Sequence, residues 1–211
     1  MLTDITHEAE IIQTYYRDRL VRYGDTVEAV GWNAVNQRRR FELLTHGWDM
    51  NASVLDVGCG RADLWVYLKS QGWTGTYQGV DVVPEMVALA QKRVGTCRVL
   101  DAATESLPAC DYALASGVFN LDLGDYGFRS ATLMQRILSH MWVACRRGMA
   151  FDCLDAERPD QVTGQWYADS AVVLQWVQAL QPSGTITRFD QQSLHGNLIV
   201  QVSKEGGLDH A

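Results

Sequence analysis

The sequence predicts an open α/β domain: a seven-stranded, mainly parallel sheet with its last strand antiparallel, helices on both faces, and a helical lid at the N-terminus. Three observations predict it. From Ser53 onward short apolar runs alternate with helical patterns, and such alternation builds parallel sheets covered on both sides. The last two apolar runs, 185–189 and 198–202, are separated by eight residues, too few for a parallel crossover. The first ~50 residues carry helical periodicity and no strand pattern.

In the N-terminal segment Ile12, Tyr15, Tyr16 and Leu20 repeat at helical spacing, and Gly24 ends the helix. Asp25-Thr26-Val27-Glu28 has capping-box spacing with an acidic cap, so a second helix is expected to start there. Then follow a strand over 53–57, a helix over 62–70, a strand over 76–80, and a helix opened by Pro84 and ended by Gly95. Strands are expected over 97–100 and 112–116. A long helix over 129–145 carries Met134, Ile137, Leu138, Met141, Trp142 and Cys145 on one face. A strand over 149–154 precedes a helix capped by Asp169 or Ser170, with Val173, Trp176, Val177 and Leu180 inward, and Pro182 closes that helix. One domain is expected: an N-terminal helical segment over 1–50 that serves as lid or cap and belongs to the same domain, a ligand-binding part over 51–204, and a C-terminal tail over 205–211.

Composition narrows the function classes. With 211 residues, 47% of them hydrophobic, the chain can bury a full core. No apolar run reaches the ~20 residues of a membrane span, and Met1-Leu2-Thr3-Asp4-Ile5 does not read as a secretory leader. Cys59, Cys97, Cys110, Cys145 and Cys153 form no Cys-x-x-Cys pair. They read as reduced, buried thiols of a cytoplasmic protein. A formal net charge of −7 argues against broad nucleic-acid binding. The basic run Arg38-Arg39-Arg40 is too short to change that. No metal-ligand spacing and no phosphate loop are found.

The strongest local signal is Val54-Leu55-Asp56-Val57-Gly58-Cys59-Gly60, an apolar strand ending in a glycine turn that opens a helix. Glycines let backbone approach a ligand, and a helix N-terminus offers free N–H groups. Asp56 would repel a pyrophosphate but can hydrogen-bond an ammonium. Asp63 occupies the place of the third glycine of the dinucleotide fingerprint, which also disfavours NAD. Asp81, followed by Val82, ends the next strand, where an acid accepts hydrogen bonds from ribose hydroxyls. Asp101-Ala102 follows the third strand, where the acid can accept from an adenine amino group. Three acids at the carboxyl ends of successive strands gather where open α/β sheets bind ligands.

This constellation resembles the class I S-adenosylmethionine (SAM)-dependent methyltransferase family over about residues 50–202. The resemblance implies a Rossmann-like fold and SAM as cofactor. It makes Asp56, Gly58, Cys59 and Gly60 the first motif, Asp81 the ribose acid and Asp101 the adenine-side acid. Ser116-Gly117-Val118 would run beside the methionine moiety. The stretch from Tyr15-Tyr16 through Tyr23-Gly24 to Val30-Gly31-Trp32, with Ala115 to Asn120, is similar to a small bacterial subgroup. That likeness implies a cofactor-capping role for Tyr16 and Trp32.

The sulfonium methyl is already activated, so the protein has mainly to align the acceptor and exclude water. An oxygen or protonated-amine acceptor also needs a base. The catalytic candidates are Asn120, after the fourth strand, Tyr167, in the loop beyond the fifth, and His195, between the last two strands. Each has a plain alternative: a turn cap, packing, an exposed turn. Asp152 and Cys153 end the fifth strand, and Trp166 is expected to pack on the following helix. The leading expectation is a methyltransferase acting on a small molecule. The rivals are a methyltransferase for a protein or nucleic acid aided by a partner chain, and a non-catalytic SAM-binding regulator; an NAD-dependent oxidoreductase stands last. A chain starting near Asp49 is expected to stay folded but to lose most SAM affinity and all transfer activity.

Overall fold

The computed structural model describes residues 5–180, 184–189 and 196–204. Within them the strands are β1 (Val54–Val57), β2 (Tyr77–Asp81), β3 (Cys97–Val99), β4 (Cys110–Ala115), β5 (Cys145–Leu154), β6 (Thr185–Phe189) and β7 (Asn197–Ser203). They form one sheet in the order β3-β2-β1-β4-β5-β7-β6. Strands β1 to β5 pair in parallel, whereas β7 runs antiparallel to both neighbours. The chain steps outward from β1 through β2 to β3 and returns to start β4 on the other side of β1. The carboxyl ends of β1 and β4 therefore flank the switch point of the sheet, where a crevice opens.

The helices are α1 (Ile5–Tyr23), α2 (Ala34–Leu44), α3 (Asp63–Ser70), α4 (Pro84–Arg93), α5 (Phe128–Ala144) and α6 (Ser170–Leu180). Alternation along the central strands sorts them to two faces. Leu55, Val57, Ala113, Ala115, Met149 and Phe151 pack in one core with Met134, Leu138 and Met141 of α5 and Val173 and Val177 of α6. Val54, Leu114, Ala150 and Ile199 face the other way, onto Phe41 and Leu44 of α2, Leu64 and Leu68 of α3, and Val87 and Ala90 of α4. Pro84 opens α4, and Asp169 caps α6 by accepting from the amides of Ala171 and Val172 at 2.9 and 3.2 Å. No described helix is long and apolar enough to cross a membrane.

Two elements differ from the sequence expectation. No long helix starts at Asp25: Val27–Val30 is a single 3-10 turn, Thr26 offers it no side-chain cap, and Gly31 closes it at φ 87°. The second long helix begins at Ala34, where the Asn33 side chain accepts from the Asn36 amide at 2.9 Å. Strand β5 is also longer than expected, starting at Cys145 directly after α5. Its early residues are held by Arg146 on Asp111 at 3.0 Å and Arg147 on Asp49 at 2.8 Å. His195 and Pro182 lie outside the described residues.

The N-terminal segment divides in two. Helix α1 crosses the carboxyl edge of the sheet: Gln13 Nε2 donates to the Val82 carbonyl at 3.0 Å and Arg17 pairs with Glu85 at 2.7 Å. Ile12, Tyr16 and Leu20 pack with Ala29, Val83 and Met86. Helix α2 instead lies flat on the sheet as a core helix. The Gln201 side-chain amide of β7 sits 3.0–3.1 Å from the carbonyl oxygens of Leu43, Leu44 and His46. It thereby caps carbonyls that a helix end leaves unpaired.

A chain starting near Asp49 would lose Phe41 and Leu44 from the core, so the expectation that it folds gives way to the opposite one. Leu44 is fully buried, and Leu44→Ala should cost ~2–5 kcal/mol of stability in urea unfolding. The chain from Asp49 should show no cooperative unfolding transition, whereas a chain starting at Gly24, which keeps α2, should retain one.

Candidate active site

A cavity opens along the carboxyl edge of β1, β2, β3 and β4, beneath α1. It encloses about 1070 Å³ of empty space, its open mouth included. Asp56, Gly58, Cys59, Gly60, Asp81, Val82, Asp101, Ala102, Ser116, Gly117, Tyr16 and Trp32 all line it. Residues drawn from six separate stretches of sequence thus meet in one space.

The glycine turn after β1 is shaped by backbone needs. Gly58 and Gly60 adopt φ 70° and 50°, a region that side chains disfavour. A Cβ on Gly58 would also fall 2.5 Å from Val118 Cγ2. The turn's amides are not free, contrary to the expectation of an open helix N-terminus. The Val80 carbonyl accepts from Gly58 and Cys59 at 2.8 and 3.0 Å, and Asp81 Oδ2 accepts from Gly60 at 2.8 Å. These three donors cannot cradle a phosphate, which removes the usual anion site of a dinucleotide fold.

Asp81 holds the turn with one oxygen and the Val83 amide with the other, at 2.9 Å. A carboxylate oxygen has two lone pairs, so each can still accept from a ligand hydroxyl. Burial pushes the Asp81 carboxyl up to about 6, against the lowering pull of the backbone amides. Asp56 is pushed further, to about 7: burial raises it, the Tyr77 hydroxyl donating at 2.6 Å lowers it, and the nearby Asp81 and Asp63 charges raise it. Asp101 caps its own loop, accepting from the Ala103 amide at 2.9 Å.

A second buried carboxylate governs the loop after β4. Asp152 Oδ1 accepts from the Gly117 amide at 2.6 Å, and Oδ2 from the Ser116 hydroxyl at 3.2 Å. Arg40 Nε lies 3.1 Å from Asp152 Oδ2, with both side chains almost fully buried. The Arg40 guanidinium stacks on the Trp32 ring at 3.7 Å. Trp32 in turn presses on Gly117, where a Cβ would fall 2.8 Å from the indole Nε1. Burial raises the Asp152 carboxyl, with Arg40 opposing the shift.

Sequence reasoning missed Arg40 and Arg61. Arg40 stands in the short basic run Arg38-Arg39-Arg40, yet Gln37, Arg40, Phe41 and Leu44 share the spacing of one helix face, which was the available signal. Arg61, also buried, pairs with Asp25 at 2.6 Å; with Arg93 and Asp63 it forms a charged cluster that fastens the 25–30 turn to α3. The catalytic candidates fare differently. Neither Asn120 nor Tyr167 lines the cavity. Asn120 Oδ1 is buried without a hydrogen-bond partner, and its carbonyl accepts from the Trp166 amide at 3.0 Å. The Tyr167 hydroxyl accepts from the Val162 amide at 2.6 Å and donates to Gln165 at 2.9 Å, so it braces its own loop. His195 falls outside the described residues.

The raised carboxyls set a pH dependence. A carboxyl whose folded pKa exceeds its unfolded value stabilises the fold below the unfolded pKa and loses that contribution as pH rises through the folded one. For Asp56 the window runs from 3.8 to about 7, and for Asp81 from 3.8 to about 6. The ligand-free protein should therefore be less stable at pH 8 than at pH 5, by a few kcal/mol at most. Asp56→Asn should remove most of that slope, which urea unfolding across the pH range will measure.

Residues 54–148 match the family model described as a methyltransferase domain. The chain is 36% identical over 104 residues to Rv1506c of Mycobacterium tuberculosis, provisionally named a methyltransferase; the match covers 48% of this chain and 63% of that one. The chain thus spans less than two thirds of that relative's length. Among solved structures, the magnesium protoporphyrin IX methyltransferase of Synechocystis with bound S-adenosylhomocysteine superposes with a TM-score of 0.67 at 16% identity. That superposition covers 92% of this chain and 99% of the other. A Haloferax volcanii methyltransferase in complex with the activator Trm112 gives 0.64 at 13% identity, covering 95% and 99%. At such identities these two likenesses speak for the fold alone. Domain match, relative, fold and glycine-turn motif all indicate a class I SAM-dependent methyltransferase, the matched domain lying over residues 54–148.

Proposed function

We propose that this chain transfers a methyl group from SAM to a small-molecule acceptor. The observation that carries the reading is the cavity itself. It runs from Asp101 and Ala102 past Asp81 to Gly58, Ser116 and Gly117, an order that suits adenine, ribose and the methionine tail in turn. Its lining includes the apolar side chains of Ile12, Leu100, Leu133 and Ile137, which suit a purine.

Bound SAM supplies a methyl group already activated by its sulfonium. The acceptor's lone pair attacks that carbon, the carbon–sulfur electrons return to sulfur, and S-adenosylhomocysteine leaves. In this reading Asp81 accepts from both ribose hydroxyls with the lone pairs that the backbone leaves open. Asp56 faces the ammonium end, and Asp101 the adenine amino group. Helix α1, with Tyr16, acts as a cover that keeps water from the reacting centre. Neither Asn120 nor Tyr167 lines the cavity.

A small acceptor is supported by the cover over the cavity and by the net charge of −7. A fold neighbour at TM-score 0.57 and 18% identity, from Burkholderia thailandensis, was solved with 1,6-didemethyltoxoflavin and S-adenosylhomocysteine. The Trm112 complex motivates the alternative of a macromolecular acceptor with a partner chain. Tritium transfer from labelled SAM into fractionated extract separates the two: label in the low-mass fraction supports the first, and label only in protein or RNA overturns it.

Calorimetry should detect binding of SAM and S-adenosylhomocysteine, and no comparable binding of NAD, because the turn amides are already spent. Asp81→Asn keeps one carbonyl acceptor for the turn but loses the charge. It should weaken S-adenosylhomocysteine by ~1.5–3 kcal/mol, the usual worth of hydrogen bonds to a charged group, with the unfolding midpoint little changed. Unchanged affinity would show that the ribose is held elsewhere.

A further inference from the structure

We propose that Arg40 is a positioning residue that locks the N-terminal segment to the loop where the methyl group is transferred, acting through Trp32. The inference rests on the SAM reading above and deepens it.

The contacts form a closed ring of four groups. Asp152 holds the Gly117 amide and the Ser116 hydroxyl. Arg40 lies against Asp152 on one side and stacks on Trp32 on the other. Trp32 abuts Gly117, which has no Cβ and a φ of 73° that favours glycine. Trp32, Ser116 and Gly117 line the cavity, and Arg40 does not. Arg40 therefore acts from behind the wall.

Only arginine meets both demands at this place. Its planar guanidinium stacks on an aromatic face while its edge meets a carboxylate. Lysine keeps the charge for Asp152 but presents a compact ammonium that cannot stack as a plane. Burial makes the arrangement costly without both partners: Arg40 is 4% exposed and Asp152 1%. Burial also leaves Arg40 Nε without an aligned hydrogen bond, so the ion pair and the stacking carry the contact. A buried ion pair adds little net stability but sets geometry. Here it sets the place of Trp32, which belongs to the N-terminal segment, against Gly117, which belongs to the sheet edge.

The wall that Arg40 supports borders the methionine half of the ligand, whereas Asp81 and Asp101 border the adenosine half. The two halves give separate readouts. In Arg40→Lys, S-adenosylhomocysteine should bind about tenfold more weakly by calorimetry, while adenosine should bind as it does to the unaltered protein. Trp32→Leu should show the same selective loss. The double variant should lose no more than either single one, because coupled residues are not additive. Additive losses, equal losses for both ligands, or unchanged binding of S-adenosylhomocysteine to Arg40→Lys would each overturn the proposal. If Arg40→Lys fails to fold, Trp32→Leu with the two ligands still decides whether this wall reads the methionine half. Failure of the unaltered protein to bind either ligand would instead count against the SAM reading itself.

Discussion

The site depends on carboxylates buried at strand ends and bound to backbone amides of neighbouring loops. Asp81 ends β2 and grips the turn that follows β1; Asp152 lies near the end of β5 and grips the loop that follows β4. In each case a side chain fixes the backbone of an adjacent strand's loop at 2.6–2.8 Å. Glycine occupies the gripped position both times, so the loop can come close. The cost is desolvation of a charged group, visible in the raised carboxyls. That cost is tolerable because each carboxylate accepts more than one hydrogen bond. The result is a rigid crevice edge made from segments that would otherwise be loose loops.

Much of this was legible in the sequence. The alternation of short apolar runs and helical patterns specified the sheet, and the eight-residue gap specified the antiparallel β7. The twelve residues singled out for cofactor binding meet around one cavity because acids and glycines at strand ends are short-range signals, tied to the turn that follows. Longer-range features were hidden. Arg40 is a helix residue in a basic run, and its burial follows from Asp152, more than a hundred residues later. The 3-10 turn at Val27–Val30 was hidden for another reason: Asp25-Thr26-Val27-Glu28 has the spacing of a capping box, but Gly31 stops the helix after one turn. Local propensity favoured a start there and the left-handed glycine prevented propagation.

The separation of α1 from α2 also refines what a cover means in this fold. One sequence segment supplies both a helix lying over the crevice and a helix inside the core. The first is held by a side-chain amide, an exposed ion pair and a small apolar cluster. The second is held by buried leucine and phenylalanine and by Gln201. Their anchoring differs, and Trp32 stands between them in the chain. Exposed ion pairs such as Arg17–Glu85 contribute little, so α1 rests mainly on its apolar contacts.

Gln201 has a further bearing, on the order in which the molecule is assembled. It reaches back 157 residues to the Leu44 carbonyl, from a strand that lies between β5 and β6 although it follows both in the chain. A ribosome therefore releases α2 before Gln201 can reach its end, and releases β6 before its neighbour β7. Both wait for β7. Contacts of such sequence separation close late and slowly, so the nascent protein carries an unpaired edge at β5 until β7 has emerged. The same strand that completes the sheet thus also supplies the Gln201 cap of α2.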